Sequence, residues 1–461
     1  MTRLRFSTAL ICASIVLATP AEGQGARGDS TIQRSTLENG LQVIVAENHA
    51  VPIATVLIAI HNGAMTQDAG DEGLAHLYEH LLFRSYKGDP EAFAIAATDL
   101  DAEQQGTTGE EVVTYYLALP SKNAVKAIGL LAHLVQKPRF DAHDLKDERP
   151  VVLDELQRDE ADPEQALDRQ ASRMLWGASW SRKDIGGDSA SLKAIDIPRL
   201  QEAYASYYVP NNAALVVTGD VSAADVFAAA QEQFSPWPRA PDPFAGRPIP
   251  PVAPLTTSAA LIMAETVAHA TIIVKLRGPS AGQDTIAPYA ADLLCDIFND
   301  QGSVFQHHLV GNELFQSVQC DYETLVHVGP ISFRGETTPE RTTRALTALL
   351  HELDLMAELE GVTEEDIAIA KKRQRVSSEL AVESSYALAP FLARSWSIGG
   401  MEGYGSFDRR VASRRLVDLK DIATRYVSAQ PRVIAVLAPP EFVPNIQGVL
   451  RAAASTIERV P

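Results

Sequence analysis

His76-Leu77-Tyr78-Glu79-His80 is the part of this chain whose residue types and spacing could do chemistry. On a helix, two imidazoles four residues apart share a face, here with a carboxylate one residue before the second. Zinc held by two neutral imidazoles and one further protein ligand keeps an open position, where a bound water has its pKa pulled down to about 7. Glu79 would be beside that water to take its proton. Leu74, Leu77, Leu81 and Leu82 form an apolar stripe around the motif and Gly73 precedes it, so the spacing predicts an amphipathic helix. A lone histidine on such a helix is ordinarily a packing residue, and the metal reading therefore needs a third ligand.

That ligand is expected from a downstream carboxylate on an otherwise apolar helix. The run Asp144 to Leu156 offers Glu148 and Glu155, seven residues and about two turns apart on one face. Pro150 lies between them; it removes the bond to the Lys146 carbonyl and predicts a kink or restart that would turn Glu148 away.

The glutamate precedes the second histidine rather than following the first, which is the inverted H-x-x-E-H order. Gly73-Leu74-Ala75-His76-Leu77-Tyr78-Glu79-His80-Leu81-Leu82-Phe83, followed 75 residues after His80 by Glu155 within Glu148-Arg149-Pro150-Val151-Val152-Leu153-Asp154-Glu155, resembles the pitrilysin/insulinase family of zinc metallopeptidases, whose relatives include the mitochondrial processing peptidase. The resemblance implies that His76, His80 and Glu155 hold Zn2+, one per chain, that Glu79 is the general base, and that Glu148 is a further acidic catalytic residue near the metal.

Glu103-Gln104-Gln105-Gly106-Thr107-Thr108, followed by the strand-like Val112 to Leu119, resembles the family segment that lies along the substrate. Gln105, Gly106, Thr107 and Thr108 are thereby expected to bind a peptide added as an extended strand, with main-chain hydrogen bonds giving affinity. The family usually has Asn where this chain has Gln105. In the second half, Phe305 to Val318 matches a segment in which the family carries an Arg and a Tyr that reach the substrate carbonyl; here the Arg position is Val310 and the Tyr position Gln316 or Ser317. Losing such an oxyanion donor typically costs about 100- to 1000-fold in rate. The departure implies a metal-bearing subunit of a two-chain peptidase, a homologous exported chain supplying the Arg and Tyr. His307 and His308 are the alternative donors, in a homodimer.

The surrounding chain is consistent with an exported protein of several cores. It has 461 residues, 46% of them hydrophobic, enough for two or more domains. Residues 1–23 read as a signal peptide, with basic Met1 to Arg5, apolar Phe6 to Leu17 and small residues after it. The apolar run is too short to span a bilayer, and a periplasmic or secreted protein without an integral membrane segment is expected. A net charge of −19 argues against nucleic acid or an anionic membrane as partner. Cys12 falls in the signal; whether Cys295 and Cys320 pair or remain buried thiols is open at this level. His61, His133, His143 and His327 have no metal-type spacing.

Eight prolines between Pro236 and Pro254 mark a stiff, extended linker over 239–256. A metal-binding domain over 33–238 and a homologous domain without metal ligands over 257–461 flank it. The first opens with strands Leu41 to Glu47 and Ile53 to His61, the second with Leu261 to Glu265, Thr271 to Leu276 and a helix around Tyr289 to Asn299. Asp196 to Asp220 and Asp418 to Leu437 end the halves alike, a faint internal repeat. The fold class is α+β: two helix-on-sheet domains, which the resemblance joins into a half-shell. The activity expected is hydrolysis of unfolded peptides by a zinc-dependent endopeptidase in a two-shell chamber. A scaffold or peptide-binding subunit of the same fold is the rival.

Overall fold

Runs such as Val43-Ile44-Val45 and Val56-Leu57-Ile58 carry apolar residues on both strand faces, so they can only be central strands covered on both sides. The structure, a computed structural model, describes residues 32–381 and 383–460; the signal expected over 1–23 lies outside the described residues. The first sheet is built from β1 (Ile32–Thr36), β2 (Gln42–Glu47), β3 (Ile53–Ile60), β4 (Glu103–Thr108), β5 (Val113–Pro120) and β6 (Ala213–Gly219). Its order is β1-β2-β6-β3-β5-β4. The second sheet has β7 (Ala259–Ala264), β8 (Ala270–Arg277), β9 (Ser317–Tyr322), β10 (Pro330–Thr337), β11 (Val433–Ala438) and β12 (Thr456–Val460), in the order β12-β7-β11-β8-β10-β9. The two orders match strand for strand. The matching outer strand comes from opposite chain ends, and β1 runs antiparallel to β2 whereas β12 runs parallel to β7.

Helices of the first half are α1 (Leu74–Arg84), α2 (Ala92–Thr98), α3 (Ala124–Gln136), α4 (Ala142–Ala161), α5 (Pro163–Trp176), α6 (Ser189–Ala194), α7 (Ile197–Tyr207) and α8 (Ala223–Phe234). The second half has α9 (Ala287–Phe298), the single turn α10 (Val304–Gln306), α11 (Thr342–Leu355), α12 (Glu364–Ala381), α13 (Ser385–Ala412), α14 (Leu416–Ile422) and α15 (Val443–Ala453). Each sheet packs one face on its own helices, Leu77, Leu81 and Ile128 meeting Val56 and Ile58 in the first core.

The other face of each sheet is covered by a helix of the opposite half. Leu388, Leu392 and Trp396 of α13 lie on Ile44, Leu57 and Val216 of the first sheet; Leu167, Ala171 and Leu175 of α5 lie on Leu261, Ile273 and Ala435 of the second. This exchange explains why the central strands are apolar on both faces, and it locks the halves together.

One sequence expectation changes. Helix α4 continues through Pro150 without a restart; Pro150 and Lys146 both lie on an exposed part of the helix, where a carbonyl left without its helical partner costs least. The proline-rich stretch is docked along the protein: Trp237 is buried beside Phe234, Val252 and Leu255 pack on the back of the second sheet, and Arg247 pairs with Asp68. Cys295 and Cys320 are joined in a disulfide, tying α9 to edge strand β9. No helix among the described residues is long and apolar enough to cross a membrane.

Candidate metal centre

Helix α1 starts at Gly73, whose φ of +87° is the left-handed conformation glycine adopts at no steric cost. Its orphan amides are served by Gln67, a buried side chain that accepts from Gly73 N and Ala75 N at 3.1 and 3.2 Å and donates to the Ser181 and Asp184 carbonyls. This cap was not legible in the sequence, since Gln is not a preferred capping residue and acts from outside the helix.

The helix turns His76 and His80 toward α4. Their Nε2 atoms stand 3.3 Å apart, and Glu155 Oε2 lies 3.8 Å from one and 3.5 Å from the other. One donor atom from each of the three residues falls within 4.8 Å of the others, a His-His-Glu set of the kind that zinc takes in catalytic sites. The chemistry of the donors fits the metal: two ring nitrogens and a carboxylate oxygen stand at the corners of a triangle, and a shared cation would satisfy all three.

Glu148 sits one layer further back. It meets His80 Nδ1 at 2.9 Å and Arg84 at 3.3 Å, so the ring's far nitrogen is bound and Nε2 is left for a metal. The bond to His80 is the main reason the Glu148 carboxyl titrates below its ordinary range. Burial works against the charged form of His80, but Glu148, Glu79 and Glu155 together raise its pKa. His76 is lowered, by burial and then by His80 beside it.

Glu79 is 9% exposed, and burial raises its pKa. Edge strand β4 runs directly over it. Thr108 Oγ1 donates to Glu79 Oε2 at 2.8 Å, and Gly106 passes so close that an added Cβ would stand 3.0 Å from Glu79 Cδ and 2.9 Å from Phe83 Cε2. Strand alternation divides the four residues expected to bind substrate. Gly106 and Thr108 face Glu79. Gln105 bonds Glu103 at 3.3 Å on the exposed side, and Thr107 bonds Thr114 of β5 at 2.7 Å. Among the described residues the outer backbone edge of β4 has no partner strand in its sheet.

The second half repeats this arrangement with different residues. Gly106 and Cys320 each stand two residues before the pair that closes the hairpin, Thr108 with Val113 and Tyr322 with Ile331. Where Glu79 packs on Gly106, Cys295 bonds Cys320. Counting from that point along α9, Asp292 takes the place of His76 and Asp296 that of His80. Gln374 of α12 bonds Asp296 as Glu148 of α4 bonds His80. Burial, with Asp296 beside it, pushes the Asp292 carboxyl up to about 8. A disulfide therefore occupies the position that Glu79 holds in the first half. His308 is held by Glu352 at 2.9 Å, His61 stacks on Trp396 at 3.9 Å, and His327 bonds Glu111.

Residues 42–183 match the family model described as Insulinase (Peptidase family M16), and residues 194–374 match the one described as Peptidase M16 inactive domain. A Mycobacterium tuberculosis protein named an uncharacterized zinc protease is 26% identical over 430 residues, covering 91% of this chain and 96% of its own. Among solved structures, a protease from Helicobacter pylori superposes with TM-score 0.77 at 20% identity over 88% of this chain and 99% of that one. The periplasmic protease PqqL from Escherichia coli superposes with TM-score 0.75 at 17% identity, over 94% of this chain but 51% of that longer one.

Proposed function

The chain belongs to the pitrilysin/insulinase (M16) peptidase family, and on that premise we propose that it is a zinc-dependent endopeptidase acting on extended peptides. The observation that carries this reading is the convergence of His76, His80 and Glu155 beside a buried carboxylate that Thr108 holds in place. Relatives named zinc proteases support it. Zinc held by these three residues would polarise the scissile carbonyl and lower the pKa of the attacking water. The remaining steps belong to the chain. The free edge of β4 pairs with the peptide backbone. Glu79 takes a proton from the attacking water and delivers it to the leaving nitrogen. Glu148 fixes the His80 ring, acting through the ligand rather than on the substrate.

The chain has Val310, Gln316 and Ser317 where the family places its Arg and Tyr, and His308 is engaged by Glu352. We therefore assign those donors to a second, homologous exported chain that closes the chamber. PqqL, about twice as long, supports such a pairing because this chain matches half of it. Its description as periplasmic agrees with the export signal read over 1–23.

Zinc-loaded mature chain, incubated with a mixture of unstructured peptides and read by mass spectrometry, tests the proposal, with Glu79→Gln as control. Cleavage by the wild type alone supports the peptidase and removes the need for a partner. Silence with zinc bound, relieved by a homologous chain, supports the two-chain form. A chain that binds peptide but neither binds zinc nor cleaves is the scaffold or peptide-binding subunit instead.

A further inference from the structure

The tip of the β4–β5 hairpin carries two adjacent acids, Glu110 and Glu111, that take no part in the metal centre. Glu111 is 4% exposed, and its carboxylate accepts from Val326 N at 2.7 Å, from His327 N at 2.8 Å and meets His327 Nδ1 at 2.8 Å. These partners all lie in the β9–β10 loop, the matching hairpin of the other half. Lys183 adds a second tie, bonding Glu110 at 2.6 Å and the Val328 carbonyl at 2.7 Å. The loop is itself anchored: Gly282 N and Ser280 Oγ bond the Val326 carbonyl, and Ala281 N bonds that of Leu325. The two hairpins are thus fastened tip to tip.

This fastening acts back along β4. Among the described residues the strand is paired on one side only, and the turn after it begins one residue beyond Thr108. Ala64 N and Met65 N hold the Gly109 and Glu110 carbonyls from the first half, so the turn is gripped from both directions. Without the β9–β10 loop, a buried carboxylate would lose all three of its donors, a state far more costly than the bonds are favourable. The hairpin would shift to expose it, and Thr108 would move with the strand.

Resting on the peptidase reading, we infer that Glu111 is a positioning residue: it lets the metal-free half set the height of β4, and thereby holds Thr108 against the base Glu79. The second half then contributes to the reaction without touching it.

The test compares Glu111→Gln, Glu111→Asp, Thr108→Val and the Glu111→Gln/Thr108→Val double variant in the full zinc-loaded chain, supplemented with its homologous partner if the wild type needs one. Zinc content, amide hydrogen exchange over Glu103–Thr108, and kcat on the peptide mixture are measured. Gln offers a donor where three donors already point, so Glu111→Gln should keep zinc, speed exchange in β4 and lower kcat about tenfold or more. Asp, one methylene shorter, should give a milder effect if Gln prevents folding. In the Thr108→Val background, Glu111→Gln should add no further loss. Wild-type exchange in β4, or losses that multiply in the double variant, would overturn the inference. If the wild type with its partner cleaves nothing, the peptidase reading fails, while exchange in β4 still decides whether Glu111 holds the strand.

Discussion

Lowering the pH should undo the seam between α13 and the first sheet through His61. Its imidazole stacks on Trp396 with ring centroids 3.9 Å apart, its Nε2 is buried without a partner, and burial pulls its pKa from 6.5 to about 4. Glu111 and the Ser397 backbone oppose that pull but do not reverse it. The unfolded or undocked chain takes up the proton below its ordinary value of 6.5, whereas the folded chain resists it. Stability from this residue is therefore complete above pH 6.5 and is lost as the pH falls toward 4. At about 1.4 kcal/mol per pH unit the full difference is about 3 kcal/mol, and roughly 2.5 kcal/mol of it should be gone by pH 4.5. Carboxylates titrate in the same window, so the comparison is with His61→Phe, which keeps the stack but has no proton to gain. Urea denaturation of both proteins at pH 7.5 and 4.5 is the assay. The wild type should lose about 2.5 kcal/mol more than the variant between the two conditions. Equal losses would refute the reasoning.

Other outcomes follow from the metal centre. Glu148→Gln should weaken zinc binding by about 10- to 100-fold in a chelator competition, because His80 loses the charge on its far nitrogen. Gly106→Ala should keep zinc but lose turnover, since the new methyl stands 3.0 Å from Glu79 Cδ and pushes the base aside. His76→Ala and Glu155→Ala should each abolish stoichiometric zinc in metal analysis, where Glu79→Gln should leave it intact.

Much of this site was legible because its grammar is local. His76 and His80 share a helix face by spacing alone, and the periodicity of Leu74 to Leu82 specified the helix that carries them. The two opening strands of each half and the absence of histidines from the helix that follows them in the second half were readable in the same way, although the sheet inserts β6 between β2 and β3 and β11 between β7 and β8. Glu148 and Glu155 were named, but the proline between them suggested a break that the exposed helix does not show.

The sequence by itself therefore determined the elements, the duplicated plan and the candidate ligands, since these depend on contacts one or two turns apart. Only the tertiary structure decided which atoms those residues meet. Glu148 finds the far nitrogen of a ring 68 positions away, Thr108 the Glu79 carboxylate 29 positions away, and Glu111 a loop more than 200 positions away. It also placed a disulfide in the second half where the first half has Glu79, and it exchanged α5 and α13 between the sheets. Such pairings arise from how two sheets and their covering helices pack, and no spacing along a strand or helix encodes that arrangement.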